Sequence, residues 1–458
     1  MTKKDNIKNL KHKSVKTPSG AEIIVLDTGA VLDAEAVAML QALHSRSTKG
    51  LKGHLKVLEE KGAENFMQNF YVGYGHKSIG DCGSTTIFIE GVSMLTAKAV
   101  QDWPLYSGQE SSTRYIDFAK QKFINPLGNE KGEKILETWR EFYIKSLPVL
   151  KEDLKRRFPI QKGENENVYN KAIAARAFDI LRALLPAGAS TNLAWHSNLR
   201  QAADKLLLLR HHPLKEVQDV ASAIEKALQK AHPSSFSHKR YSDTEKYNEY
   251  AMQKAYYYHS KSCPEFKLTR DKIDKKALEE KWVKELFKRR PNDKTELPKW
   301  LSELGTLSFE FQLDFGSFRD LQRHRSLFQR MPLLTLDLGF EDWYLQELPQ
   351  ELQKEAKKLL KEQERAIKSL TKDKFIRQYY IAMGYKISNK ISGTLPALVY
   401  TAELRSTRFA HPTVRKIAFQ ITKALDKKFG KYGLKLYPDT ESVRFDSKRG
   451  LQDIVLKK

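Results

Sequence analysis

A chain of 458 residues that is 40 % hydrophobic and 30 % charged is too long for one ordinary core and reads as globular, with two domains of roughly two hundred residues each. A formal net charge of +24 points to anionic partners such as nucleic acid, nucleotides or acidic cofactors, although the lysines are spread along the chain rather than clustered. Cys82 and Cys263 lie far apart and lack the paired spacing of a zinc site or a disulfide framework, so plain thiols and no metal are expected.

The basic start of the chain has no apolar core of the kind a signal peptide carries. No apolar run approaches the ~20 residues of a membrane span, so a cytoplasmic location without a membrane partner is expected. The segment "STTIFIEGV" reads as a strand, Ser93 as an N-cap and "MLTAKAVQDW" as a helix. A polar loop, "YSGQESSTRYIDF", follows, and then the long amphipathic run "EKILETWREFYIKSLPVLKEDL". Later, "TLSFEFQLDF" alternates strictly, with Leu307, Phe309, Phe311, Leu313 and Phe315 on one face. Gly316 and Ser317 are expected to supply a turn and an N-cap before "FRDLQRHRSL".

The order strand, turn, helix, long helix thus occurs twice. "RALLPAGAST" is answered by "SGTLPALVYT", and "HPLKEVQDVASAIEKAL" by "HPTVRKIAFQITKAL"; Leu214, Val217, Ala221, Ile224 and Leu228 form one apolar stripe, and Val414, Ile417, Ile421 and Leu425 another. We expect an α+β fold of two tandem copies, helices packed on an antiparallel sheet, at residues 20–235 and 265–445. A tyrosine-rich connection, 236–264, is expected to pack against one of them.

In the polar loop, Ser107, Ser112, Arg114, Glu110 and Tyr115 place hydroxyls and a guanidinium together. Such a set can hold a phosphate monoester with directional bonds, and Glu110 would face a donor group; the alternative is a loop of turns and caps. Arg323, His324 and Arg325 could bind a pyrophosphate or an electron-rich ring, or be surface charge at a helix C-terminus.

The first of these segments resembles the flavin-dependent thymidylate synthases. That family carries Arg-His-Arg, two residues, and then Ser-x-Asn-Glu-x-Ser-x-Arg-Tyr after a strand and a helix. Ser107, Gln109 in place of Asn, Glu110, Ser112, Arg114 and Tyr115 follow the second part, while Asp102, Trp103 and Pro104 stand where Arg-His-Arg belongs. The later half keeps Arg323, His324 and Arg325 but has Phe328, Arg330 and Met331 after them. His76 and Ser78 in "YGHKS", Arg182 in "RALLP", Asn198 and Arg200 in "NLR", and Arg210 in "LLLLR" resemble further family positions.

The resemblance implies methylation of dUMP to dTMP with FAD as cofactor and NADPH and methylenetetrahydrofolate as co-substrates, without a nucleophilic cysteine. It implies that Ser107, Gln109, Glu110, Ser112, Arg114 and Tyr115 bind substrate. Arg323, His324, Arg325, His76, Ser78, Asn198 and Arg200 would bind flavin, and Arg210 with Arg182 would stabilise charge on the pyrimidine. Family members are tetramers, so two duplicated chains would pair as a homodimeric pseudo-tetramer with composite sites. Two alternatives stand beside this: a flavoprotein acting on a pyrimidine in nucleic acid or on a modified nucleotide, and a non-catalytic nucleotide- or RNA-binding relative.

Overall fold

A computed structural model describes residues 12–26, 33–45, 50–73, 75–111, 113, 116–292 and 295–441. It divides the chain into two compact units. The first takes the described residues up to Asp117, then Gln121–Pro126 and Ala189–Tyr256; the second takes Phe118–Lys120, Leu127–Gly188 and the described residues from Tyr257 onward.

In the first unit, five strands form an antiparallel sheet in the order β1 (His12–Lys16), β2 (Glu22–Leu26), β3 (Ser84–Ser93), β5 (Ser190–Asn198) and β4 (Ser107–Glu110). Ile87 and Ile89 of β3 are buried, as a half-covered strand demands. A bulge between Ile89 and Val92, with Gly91 at φ 71°, shifts the register and turns Val92 inward. Ser93 then caps α3 (Met94–Gln101) by accepting from the Thr96 N–H, as its sequence position suggests. Helices α6 (Leu199–Leu209), α7 (Lys215–Ala231) and α8 (Ser242–Ala255) complete the part of this unit that matters for function, and the stripe from Val217 to Leu228 is buried. Helix α8 falls in the tyrosine-rich connection; it buries Asn248 and Met252 but leaves Tyr247 and Tyr250 exposed.

In the second unit, the antiparallel order is β6 (Phe266–Ile273), β7 (Gly305–Asp314), β9 (Lys386–Thr394) and β8 (Phe328–Gln329). Leu307, Phe309, Phe311 and Leu313 fill one core with residues of α13 (Leu395–Arg405) and α14 (Pro412–Phe429), whose stripe Val414, Ile417, Ile421 and Leu425 is buried. Around it lie α4 (Glu130–Arg157), α5 (Glu166–Leu181), α10 (Phe315–Leu321), α11 (Asp342–Gln346) and α12 (Gln350–Leu370). The strand runs into α10 without the expected turn. Asp314 is the N-cap, its carboxylate accepting from the Ser317 N–H at 2.8 Å, and Phe315, Gly316 and Ser317 are already helical. A carboxylate at the strand's last position satisfies the helix start, so the Gly-Ser pair is not used as punctuation.

The element order recurs: β3, α3, β4, the helices α4 and α5, β5, α6 and α7 in one stretch; β7, α10, β8, α12, β9, α13 and α14 in the other. The matching of "RALLPAGAST" with "SGTLPALVYT" does not follow this order. The first leads into β5, whereas the second is the end of β9 and the start of α13. The counterpart of the Arg182 turn is the segment before β9, and the two meet in a reciprocal set of bonds. Ala187 N–H donates to the Ile381 carbonyl and Met383 N–H to the Leu185 carbonyl, both at 2.9 Å; Gly188 and Gly384 repeat the exchange with Tyr379 and Ala183. Pro186 faces Ala382 at its centre. No helix among the described residues is long and apolar enough to cross a membrane.

Candidate functional site

The first unit contains a cavity of about 320 Å³ beside α6 and α8. Asn198 starts α6 as a side-chain cap on the Gln201 N–H, at 2.8 Å, which commits its amide oxygen to structure. From there Arg200, Ala203, Asp204, Leu207 and Arg210 recur at helical spacing on the cavity wall. Arg200 donates through Nε to Asp81 Oδ1 at 2.7 Å, and that bond holds its guanidinium above its ordinary pKa. Arg210 donates through Nε and Nη2 to both oxygens of Glu245 in α8, at 2.8 and 2.6 Å, and its Nη1 lies 3.6 Å from Glu225. His211 Nε2 meets the same carboxylate at 2.7 Å. The Arg210 bonds lead the groups that hold Glu245 below the usual carboxylate range. Lys77 is on the wall too, between His76 and Ser78, which are both exposed.

Ser107 and Gln109 are exposed on the edge strand β4, but Glu110 turns inward. Its carboxylate accepts from Lys98 Nζ at 2.7 Å, with the two side chains 3 and 1 % exposed, and from Gln101 Nε2 at 3.0 Å. Between them Gly108 is obligatory, since a Cβ there would lie 2.0 Å from the Ala194 carbonyl oxygen. Ser112, Arg114 and Tyr115 lie outside the described residues. The corner at Asp102, Trp103 and Pro104 is filled from within. Trp103 Nε1 donates to Gln201, and Lys205 Nζ donates to the Asp102 carbonyl at 2.7 Å. Burial pushes Lys205 down to about 8 and the Asp102 carboxyl up.

In the second unit, Arg323, His324 and Arg325 follow α10 and divide by direction. The two arginines are exposed, while His324 is buried. Arg405 Nε donates to His324 Nε2 at 2.7 Å, and burial followed by the Arg405 charge pushes the imidazole down to about 3. The ring is therefore neutral with its proton on Nδ1, where it donates to Thr401 Oγ1, whose own proton goes to the Ala397 carbonyl. Arg405 also reaches the Asp320 carbonyl at 2.7 Å. Burial would raise the Asp320 carboxyl, but Arg182, Arg405 and Arg323 outweigh it and hold the group well below the usual range. Arg182 lies 4.0 Å from Asp320 and from Asp179, and its Nε and Nη2 are buried without a hydrogen bond among the described residues.

Residues 29–234 match the family model described as thymidylate synthase complementing protein. The matched segment is similar to that family and spans just under half of the chain. The chain is also similar to a UPF0159 protein of Chlamydia muridarum, 26 % identical over 416 residues covering 79 % of this chain and 78 % of the relative. A UPF0159 protein of Thermoplasma acidophilum is 23 % identical over 477 residues, covering 87 % of this chain and 92 % of the relative. A flavin-dependent thymidylate synthase of Pyrococcus abyssi is 29 % identical over 89 residues, which is 19 % of this chain and 36 % of that protein.

Within the segment that matches the family model, Arg200 and Arg210 share one cavity, and Lys77 sits with them. Arg182, Arg323 and His324 gather around Asp320 in the second unit. Three functional candidates escaped sequence reasoning: Glu245, Arg240 and Arg405. For Arg405 a signal existed, because "YTAELR" ends α13 much as "LLLLR" ends α6. For Glu245 and Arg240 there was none, since their place on the cavity comes from the return of α8 toward α6.

Proposed function

We propose that the chain is a flavin-dependent thymidylate synthase-like enzyme, built from two tandem copies and paired as a homodimer, that methylates dUMP using FAD, NADPH and methylenetetrahydrofolate. The observation that carries this reading is the cavity in the family-matching segment whose wall bears both Arg200 and Arg210. The recurrent element order and the reciprocal bonding about Pro186 and Ala382 support the duplication.

The residues present fit a flavin nucleotide. Arg323 and Arg325 are exposed guanidiniums without an ion pair among the described residues, and Phe328 beside them is 66 % exposed, which suits a diphosphate and a flat ring. When bound, the flavin supplies the redox chemistry of the transfer. His324 holds the loop by its bonds to Arg405 and Thr401, leaving ligand contact to its neighbours. Arg182, charged and short of hydrogen-bond partners, is suited to an oxyanion. Lys98 of α3 and Glu110 fix β4, the strand that presents Ser107 and Gln109, while Arg114 takes the phosphate. The visible spectrum of the purified protein, with a dUMP methylation assay, tests this: flavin near one per chain and turnover are expected, and neither, even with FAD added, would overturn it.

A second reading, binding of a pyrimidine within nucleic acid, is favoured by one observation. Lys354, Lys357, Lys358, Lys361 and Arg365 line a surface groove along α12. Binding to single-stranded RNA that falls steeply with salt would support it.

A further inference from the structure

The tyrosine-rich connection packs through one face of α8 only. Asn248 and Met252 are buried on that face, and Glu245 turns the same way to meet Arg210 and His211. The opposite face carries Asp243, Tyr247, Tyr250 and Lys254, all exposed, with the two tyrosines at 72 and 68 %. None of the four makes a side-chain hydrogen bond, ion pair or ring contact among the described residues. Steps of four, three and four residues set them in one line along the helix, which is the spacing of a seam between two helices. Two large rings left in water along such a line mark a contact surface.

The order of the stripe identifies the partner. Asp243 and Lys254 are equally far from its midpoint, between positions 248 and 249, and so are Tyr247 and Tyr250. A two-fold axis through that midpoint, perpendicular to α8, lays the stripe antiparallel on its own copy. Asp243 then meets the partner subunit's Lys254 at both ends, and Tyr247 meets the partner subunit's Tyr250 twice at the centre. A parallel arrangement sets like charge against like, so the charges fix the direction. A polyanion has no such fit, because Asp243 stands at one end of the stripe and Glu249, also exposed, flanks its middle.

Resting on the homodimer in the reading above, we propose that α8 anchors the pairing of two copies of this chain, through an antiparallel contact of Asp243, Tyr247, Tyr250 and Lys254 with the same four residues of the other copy. Two helices of 14 residues supply only part of the roughly 1,200–2,000 Å² that a specific interface buries, so the stripe is the centre of a larger contact, where tyrosines carry a large share of the binding energy. Helix α8 lies past residue 234, where the family-model match ends, so this contact belongs to the segment that joins the copies. Tyr241, Thr244 and Glu245 line the cavity at the start of the same helix, and the partner therefore holds the element that closes it.

The test is sedimentation velocity of the full chain across a concentration series, for the parent, Tyr247→Ser with Tyr250→Ser, Asp243→Lys, and Lys254→Asp. The parent should sediment as a dimer. The tyrosine pair occurs twice about the two-fold axis, and its loss should weaken association at least about tenfold. Each charge variant sets like charges together at both ends and should weaken it too. An equimolar mixture of Asp243→Lys and Lys254→Asp restores both opposite-charge pairs and should form a heterodimer close to the parent in strength. Damage to α8 itself cannot give that rescue, since mixing repairs only contacts between chains. Variants that dimerise as firmly as the parent, or charge variants that mixing does not rescue, would overturn the inference and leave the homodimer reading to another face. A parent that stays monomeric throughout sinks both. Single-stranded RNA titrated onto the same samples covers the other occupant: RNA affinity that falls in the tyrosine variant while its mass is unchanged makes the stripe a nucleic-acid platform and likewise overturns the pairing.

Discussion

Glu110 would face a ligand in the sequence reading and faces a lysine in the structure, and substitution distinguishes the two. Its carboxylate and Lys98 Nζ are 2.7 Å apart with 3 and 1 % of their side chains exposed, so water cannot replace either partner. Glu110→Ala leaves a buried ammonium without its counter-charge, which costs about 3–5 kcal/mol. Glu110→Gln keeps the shape and an acceptor oxygen but lowers the charge-assisted bond to a neutral one, a loss of about 1–2 kcal/mol. Replacing both partners, Lys98→Met with Glu110→Leu, removes the buried charges together and should recover most of the loss of the alanine variant. Urea unfolding followed by tryptophan fluorescence reads this directly, since Trp195 is fully buried in the same sheet. The midpoint should shift with an unchanged slope. An alanine variant within about 1 kcal/mol of the parent that nevertheless fails to bind dUMP would refute the reasoning and return Glu110 to the ligand.

Two further outcomes follow from the second unit. His324 and His411 are both pushed down to about 3, first by burial, so the fold favours their neutral forms. The unfolded chain takes up protons below about 6.5, and each ring therefore removes about 2 kcal/mol between pH 7 and pH 5, with stability complete above that range and falling with acid. Unfolding midpoints measured across that range should show a slope that shrinks in His411→Gln, and a slope unchanged by the substitution would count against the assignment. Arg323→Ala with Arg325→Ala should cut flavin content while lowering the unfolding midpoint only a little, because both side chains are exposed and Arg182 and Arg405 still face Asp320; full flavin retention would make them plain surface charge.

Much of the fold was legible because its signals are local. The alternation of Leu307 to Leu313 and the stripes of α7 and α14 state a period and a buried face by themselves. What stayed hidden depends on distant partners. Glu110 sits on a four-residue strand whose other members are exposed, and only α3 shows which way it turns. Arg-His-Arg looked like one cationic unit, yet the tight turn after α10 sends the histidine to Arg405 and both arginines to the surface. Arg210 was visible as a cation, but Glu245, which takes its Nε and Nη2 hydrogen bonds, lies 35 residues away in sequence.

The paired strand-to-helix junctions carry the most demanding test of the two-copy reading. Ser93 ends β3 and caps α3, and its N–H and hydroxyl donate to Glu216 of α7 at 2.8 and 2.6 Å. Asp314 ends β7 and caps α10, and its carboxylate accepts from the Tyr344 hydroxyl at 2.8 Å and lies near Thr413 of α14, whose hydroxyl meets Ser317 Oγ. Both junctions hold one buried carboxylate near a helix N-terminus, where it complements the free N–H groups, but it comes from the strand in one and from the far helix in the other. If the junctions are equivalent, the charge can change sides. Ser93→Asp alone puts a second carboxylate against Glu216 and should cost about 2–4 kcal/mol, because one of the two must give up its charge or its contact. Ser93→Asp with Glu216→Thr recreates the other junction's chemistry and should recover at least half of that loss, a coupling readable in a double-mutant cycle of urea midpoints. Strictly additive penalties would mean that the two junctions only look alike, and the structural argument for duplication would then rest on element order and on the bonds about Pro186 and Ala382.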